Sequence, residues 1–250
     1  GIIESLDHEA RGIARQDGKT IFVDGALPGE KVEYASFRRK PKYELAHLVK
    51  VEHASTARVT PRCPHYGVCG GCAMQHMDPS AQVAAKQRVL ETNLWHLGRV
   101  VADQLYAPIY GPFWGYRFRA RLSAKWVDKK GGMLVGFHER KSSFIADMQG
   151  CPNLPPHVSA LLLPLRELVG GLSISAAMPQ IELAIGDEVT ALVLRILEPL
   201  NQADEELLRS FAEYRVLLFG VLMVVMMIWR PRGLIRINRS GYAVRKGVAP

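Results

Sequence analysis

A chain of 250 residues with 48% hydrophobic content can build two modest cores, which excludes a disordered tail or a single minimal domain. Its formal charge of +8 suggests a nucleic-acid binder until it is divided along the chain. Arg215, Arg230, Arg232, Arg236, Arg239, Arg245 and Lys246 are the seven basic residues after position 213, no acid accompanies them, and subtracting them leaves +1 for residues 1–213. Global charge is therefore poor support for RNA binding, and local patches must supply it. The first residue is Gly1 rather than methionine, so a fragment of a longer protein is expected. No charged-then-apolar leader follows it.

Residues 1–56 read as a small β-barrel. Ile13-Ala14, Thr20 to Val23, Val32 to Tyr34 and Leu45 to Val51 are short β-prone runs separated by turns at Asp17-Gly18 and Leu27-Pro28-Gly29, a spacing that suggests an OB-like fold. Between the later strands, Arg38, Arg39, Lys40 and Lys42 end at Tyr43. Such a run can hold a phosphate backbone and stack a base, or be simply a solvated loop.

The four cysteines follow as Cys63-x5-Cys69-x2-Cys72 and a distant Cys151, which leaves none over. Three soft ligands within ten residues, with Gly67, Gly70 and Gly71 allowing a tight loop, suit a thiolate-held metal better than two disulfides. Zinc is one reading, because His76 could complete a Cys3His set without Cys151. The remote Cys151-Pro152 step favours a 4Fe-4S cluster on Cys63, Cys69, Cys72 and Cys151.

Asp78-Pro79 starts a helix in which Val83, Leu90, Leu94 and Leu97 recur at helical spacing until Gly98, and this apolar stripe is expected to be core, packed over the cysteine loop. A second β-rich region opens with a strand over residues 115–123, where Arg117, Arg119 and Arg121 alternate with Tyr116, Phe118, Ala120 and Leu122. Period two puts the three guanidiniums on one face, either a solvated face or one that meets a polyanion. Gln180 to Ile185 and Val189 to Leu197 read as a hairpin around Gly186-Asp187, and Gln202 to Tyr214 as a helix capped near Asp204. The fourteen uncharged residues from Val216 to Trp229 fall short of the ~20 that span a bilayer, so no membrane association is expected. With its Arg-rich remainder, the stretch 214–250 is unlike residues 1–213 and reads as an atypical tail, foreign to the fold as a shifted reading frame would be.

These motifs carry a family resemblance. LDHEARGIARQDGKTIFVDGALPGEKV resembles a TRAM module, and CPHYGVCGGCAMQH, WGYRFRARLS, VGFHERKSSFIAD and CPNLPP follow in the order of RlmD-type (RumA) 23S rRNA uracil-5 methyltransferases, over about residues 4–213. The resemblance implies a mostly β fold with some α: an OB-like TRAM barrel over 1–56, then an iron-sulfur loop and an α+β RNA-binding domain over 57–213. It implies a 4Fe-4S cluster on the four cysteines, 23S rRNA as partner, and RNA contacts from the strand matching Tyr116 to Ser123. Such enzymes take the methyl from S-adenosylmethionine after a cysteine adds to uracil carbon 6. The glycine-rich fingerprint of the catalytic Rossmann-like domain is missing here, so this chain is expected to be the inactive RNA-recognition part of a truncated enzyme. The alternative is a stand-alone zinc or iron-sulfur RNA-binding module; a redox protein would require an exposed cluster. A cytoplasmic monomer is expected.

Overall fold

The structure, a computed structural model, describes residues 1–211; the expected tail over 214–250 lies outside the described residues. The chain divides into two units, Gly1–Pro199 and Leu200–Pro250. The first contains two antiparallel-rich sheets and is mostly β with some α.

The first sheet is built from β1 (Ser5–Leu6), β2 (Gly12–Gln16), β3 (Lys19–Asp24), β4 (Lys31–Arg39) and β5 (Tyr43–His53). Asp17 and Gly18, at φ 50° and 74°, make the two-residue turn whose twist suits the β2–β3 hairpin. The strand order is β1-β2-β3-β5-β4, with β3 and β5 parallel, and a bridge from Ile2 to Lys31 lays the amino-terminal segment on β4. This connectivity curls the sheet around Ile3, Ala14, Ile21, Val23, Ala26, Val32 and Ala46. All four runs read from the sequence lie within strands, although β4 and β5 extend further, because their outer residues are charged while the ladder continues beneath them.

A buried ion pair fixes the chain beyond β5. The Glu30 carboxylate, fully buried, accepts from the backbone N–H groups of Leu27 (2.8 Å) and Ser55 (3.2 Å) and from Arg58 Nε (2.5 Å) and Nη2 (2.7 Å). Burial alone would raise its pKa; the Arg58 hydrogen bond and the backbone donors outweigh that and hold it below the ordinary carboxylate value.

Helix α1 (Pro79–Asn93) begins where the sequence indicates: the Asp78 carboxylate accepts from the N–H of Ser80 at 2.9 Å, and Pro79 occupies the first turn. A wider π-type turn, Leu94–Gly98, ends it, with Arg99 left-handed at φ 53°. The expected core stripe is corrected, since α1 has no buried residue and Leu90 and Leu97 are 58% and 81% exposed. Val83 and Val89 are half-buried, and Gln82 Nε2 donates to the Met74 and Met77 carbonyls at 3.0 and 2.8 Å, so the helix is held by capping, propensity and partial contact rather than by a buried stripe.

The second sheet has the order β7-β6-β8-β9, from β6 (Arg119–Val127), β7 (Gly132–Gly136), β8 (Gln180–Ile185) and β9 (Thr190–Arg195), all antiparallel. β8 and β9 form the expected hairpin, closed by Gly186 N–H donating to the Val189 carbonyl at 2.8 Å. A short helix α2 (Pro156–Ser159) leads to α3 (Leu162–Gly171), which buries Leu162, Leu165, Leu168 and Val169 on the side of the sheet that presents Leu122, Met133 and Val135. In the second unit, residues 202–211 are helical. Its cap is Asn201, which exchanges side-chain-to-backbone hydrogen bonds with Asp204, three positions before the acid expected to start the helix.

Candidate metal centre and nucleic-acid interface

The cysteine segment is a closed loop. Val59 N–H donates to the His76 carbonyl at 3.0 Å and Asp78 N–H to the Ala57 carbonyl at 2.8 Å, which brings its two ends together. Inside, Tyr66 N–H donates to the Cys63 carbonyl and Cys69 N–H to that of His65, turns made possible by Gly67 at φ 91°. The loop leans on the strand-like segment after β7, where Gly70 N–H reaches the His138 carbonyl and Arg140 N–H the Val68 carbonyl, each at 2.8 Å. A Cβ on Gly70 would sit 3.1 Å from that same His138 oxygen, so the approach suits glycine.

Cys151 comes from the segment between β7 and α2. Its N–H donates to Ser159 Oγ of α2 at 2.8 Å, which orients the Cys-Pro step. Cys63, Cys69, Cys72 and Cys151 then line one tight cleft, with Arg117, Phe137 and Met148 among its walls. All four thiols are free; three are buried and Cys72 is half-buried. His76 is not part of this lining.

Burial and the other thiols together set the electrostatics of the cleft. Burial pushes the Cys63 and Cys69 thiols up, and the other cysteines raise them further, because several thiolates in one half-dry space repel. Hydrogen-bond donors oppose this: backbone donors of His65 and Tyr66 at Cys63, and the Gly71 N–H on Cys69 Sγ at 3.4 Å. The buried Asn153 turns its amide onto Cys72 Sγ at 3.0 Å. Four soft side chains, donors aimed at sulfur and an adjacent guanidinium are what this cleft offers. Among the described residues, no three His, Cys, Asp or Glu side chains are gathered as a metal ion would require. Asn153 escapes a reading by residue type, and its adjacency to Cys151-Pro152 is the one signal that could have found it.

His76 has another role. Its Nδ1 is 2.5 Å from the Tyr66 hydroxyl, the rings lie 5.6 Å apart, and Nε2 is buried without a hydrogen-bond partner. Burial first, then the positive Arg58 and Arg140, lower its pKa to about 4 against the pull of Glu30, so it is neutral. The Cys3His set with His76 is not what the fold assembles around this cleft.

The three arginines expected on one strand face are split. β6 starts at Arg119, not at Gly115. Arg117 precedes it, anchored by its N–H on the Asn153 carbonyl (2.8 Å), with Nη2 on the Gly71 carbonyl (3.3 Å) and its guanidinium 5.0 Å from the Phe137 ring centre. It lines the cysteine cleft; the Tyr116 hydroxyl lies outside that lining and accepts from Asn153 Nδ2 at 3.3 Å. Arg119 and Arg121 project from the exposed face of β6, where Arg121 meets Glu182 of β8 at 3.3 Å across largely open side chains. Arg38 and Arg39 end β4, and Lys40 and Lys42 form the exposed hairpin tip; Arg39 and Glu44 are 3.6 Å apart.

Known proteins bear on this geometry. Residues 2–35 match the TRAM domain family. The chain is 67% identical over 217 residues to the 23S rRNA (uracil(1939)-C(5))-methyltransferase RlmD of Cupriavidus metallidurans, a match that covers 84% of this chain and 47% of that protein. It is 65% identical over 219 residues to the protein of the same name from Dechloromonas aromatica, covering 88% and 51%. The resemblance is to the RlmD-type methyltransferases. The chain spans about half the length of the RlmD relatives it matches. Among solved structures, the tRNA (uracil-54, C5)-methyltransferase of Pyrococcus abyssi, in complex with S-adenosyl-L-homocysteine, superposes with a TM-score of 0.59 at 20% identity, over 83% of this chain and 48% of that one. At that identity the likeness is one of fold. Among the described residues, no helix is long and apolar enough to cross a membrane.

Proposed function

We propose that this chain is the RNA-recognition and cluster-bearing part of a 23S rRNA uracil-5 methyltransferase, whose full-length form moves a methyl group from S-adenosylmethionine to uracil carbon 5. The observation that carries this reading is the convergence of Cys63, Cys69, Cys72 and Cys151, from segments nearly eighty positions apart, on one cleft adjoining the start of β6. A 4Fe-4S cluster takes four thiolates spread around its corners, and the presence of four cysteines in one lining supports this reading. In this reading residues 1–56 form the OB-like TRAM barrel, residues 57–213 the cluster and central RNA-binding domain, and the protein is a cytoplasmic monomer.

With all four cysteines assigned to iron, none is left to add to uracil carbon 6, so catalysis requires a further domain. The exposed surface supports this. Helix α1 buries no residue, and Val101, Leu105, Tyr106, Ile109, Tyr110 and Phe113 in the stretch after it are 44–103% exposed, an apolar run that a packed domain would cover. The stretch 214–250 is read as foreign to that domain.

Anaerobic purification tests the cluster: brown protein containing iron and acid-labile sulfide is expected, whereas a colourless protein with one zinc that survives Cys151→Ser would overturn it. Incubation with labelled S-adenosylmethionine and unmodified 23S rRNA tests the rest. No 5-methyluridine is expected from this chain alone, and robust turnover would refute the division of labour. A catalytic cysteine and glycine-rich fingerprint encoded downstream of the Tyr214 codon, in another frame, would support it; their absence would favour a stand-alone RNA-binding module.

A further inference from the structure

The first sheet presents flat rings to solvent at a place that neither its core nor the cysteine cleft requires. Along β4, Ser36 pairs with Ala46 and Arg38 with Leu45, which leaves Phe37 as the extra residue of a bulge. A bulge re-aims its side chain. Phe37 lies on His47 of β5, ring centres 6.3 Å apart and planes within 20°, and Phe37 keeps 52% of its surface open while His47 is also exposed. Nearby on the same sheet, Tyr43 meets Phe22 edge-on at 6.1 Å.

A cation is delivered to this stack from the turn that follows β7. Lys141 follows the segment that pairs with the cysteine loop, and its left-handed backbone at φ 55° is a conformation that lysine adopts at a cost. From there its Nζ lies 4.8 Å from the Phe37 ring centre and 2.5 Å from Asp24 Oδ2, while Asp24 is the in-register neighbour of His47. Arg38, Arg39, Lys40 and Lys42 continue from Phe37 along the exposed hairpin.

We propose that Phe37 and His47, flanked by Lys141, form a base-stacking subsite for single-stranded RNA, with the β4–β5 hairpin tip tracking the phosphates. The proposal rests on the reading that this chain binds RNA, and assigns part of that binding to residues outside the arginine strand. A flat exposed aromatic pair accepts any base through its π face, and the surrounding cations supply the counter-charge that a polyanion needs. An acidic or apolar protein partner would not call for parallel rings leading into a row of cations.

The test uses the full chain with its metal content intact and a single-stranded RNA carrying one 2-aminopurine, whose emission is quenched when it stacks. Phe37→Leu, which keeps an apolar group and loses the flat face, and His47→Ala should each weaken binding about 5- to 10-fold and relieve the quenching, with little change in the salt dependence. Lys141→Gln should instead lower the slope of log affinity against log salt by about one. Both rings are exposed, so unchanged thermal melts would confirm that the variants fold. Wild-type protein that binds no RNA would refute the RNA reading itself. Wild-type binding with affinity and quenching unchanged in Phe37→Leu and His47→Ala would refute this subsite alone, as would variants that retain RNA but lose a protein partner.

Discussion

Lowering the pH should destabilise this protein through His76 before most of its carboxylates titrate. The imidazole is buried, its Nδ1 is taken by the Tyr66 hydroxyl, and burial together with Arg58 and Arg140 lowers its pKa from 6.5 to about 4. A folded pKa below the unfolded one means that the unfolded chain binds the proton more readily; the stability is therefore present above 6.5 and is lost as pH falls toward 4. Between about pH 7.5 and pH 5 the linkage amounts to roughly 2 kcal/mol, within a window where ordinary carboxylates remain mostly ionised. The perturbation is His76→Gln, whose amide oxygen can still accept from Tyr66 and which does not titrate. Urea midpoints followed by tryptophan fluorescence across this range, on wild type and variant of equal metal content, should show a steep fall for the wild type and a flatter profile for the variant. Parallel profiles would refute the assignment, and with it the claim that the ring is neutral in the fold.

Arg58→Met should cost about 3–5 kcal/mol, because it leaves the Glu30 carboxylate buried without its cation; adding Glu30→Gln should recover part of the lost urea midpoint. Glu30 has a depressed pKa, so its own contribution should be present above 4.5 and disappear as pH falls through the folded value, a loss absent from the double variant. Asn153→Leu should retain iron but shift its visible absorption, since the variant loses the N–H donor to Cys72, whereas Cys151→Ser should lose iron and sulfide together. Arg119→Gln with Arg121→Gln should lower the salt slope of RNA binding by about two, measured on protein ended at Tyr214 so that the seven basic residues beyond position 213 do not mask it. Leu90→Gln and Leu97→Gln should leave the melting temperature of this chain unchanged and improve its solubility, because both side chains are already exposed.

What the sequence made legible is what local rules govern. Asp78-Pro79 starts α1, Asp17-Gly18 turns β2 into β3, and Gly186 closes β8 on β9, because capping and turn chemistry act over a few residues. Cysteine spacing likewise pointed to the residues that line the cleft. Periodicity failed where tertiary context decides. Val83, Leu90, Leu94 and Leu97 have helical spacing, but spacing cannot reveal whether a surface exists to bury them. Arg117 fits the alternation of its neighbours, yet β6 begins two residues later, because its N–H is committed to the Asn153 carbonyl rather than to a strand. The Glu30–Arg58 pair spans 28 positions, and no local pattern announces it.

Arg117 also bears on what a metal centre would do here. Cys63, Cys69 and Cys151 are 8%, 7% and 6% exposed, and Cys72 is half-buried. The same cleft is tied to exposed basic surfaces. Arg117 joins the Gly71 carbonyl of the cysteine loop to the Asn153 segment and stands two residues before Arg119. On its other side the loop holds the Val68–Arg140 contact, next to Lys141 and the Phe37 stack. Four ligands drawn onto one group would hold the loop, the Cys151 turn and the leading end of β6 together. Ordering those segments in advance lowers the entropy lost when they bind a flexible strand. Each link from the sulfurs to the exposed arginines is a hydrogen bond or a short run of backbone, so a group held by the four cysteines would act on those arginines as a staple, at a distance.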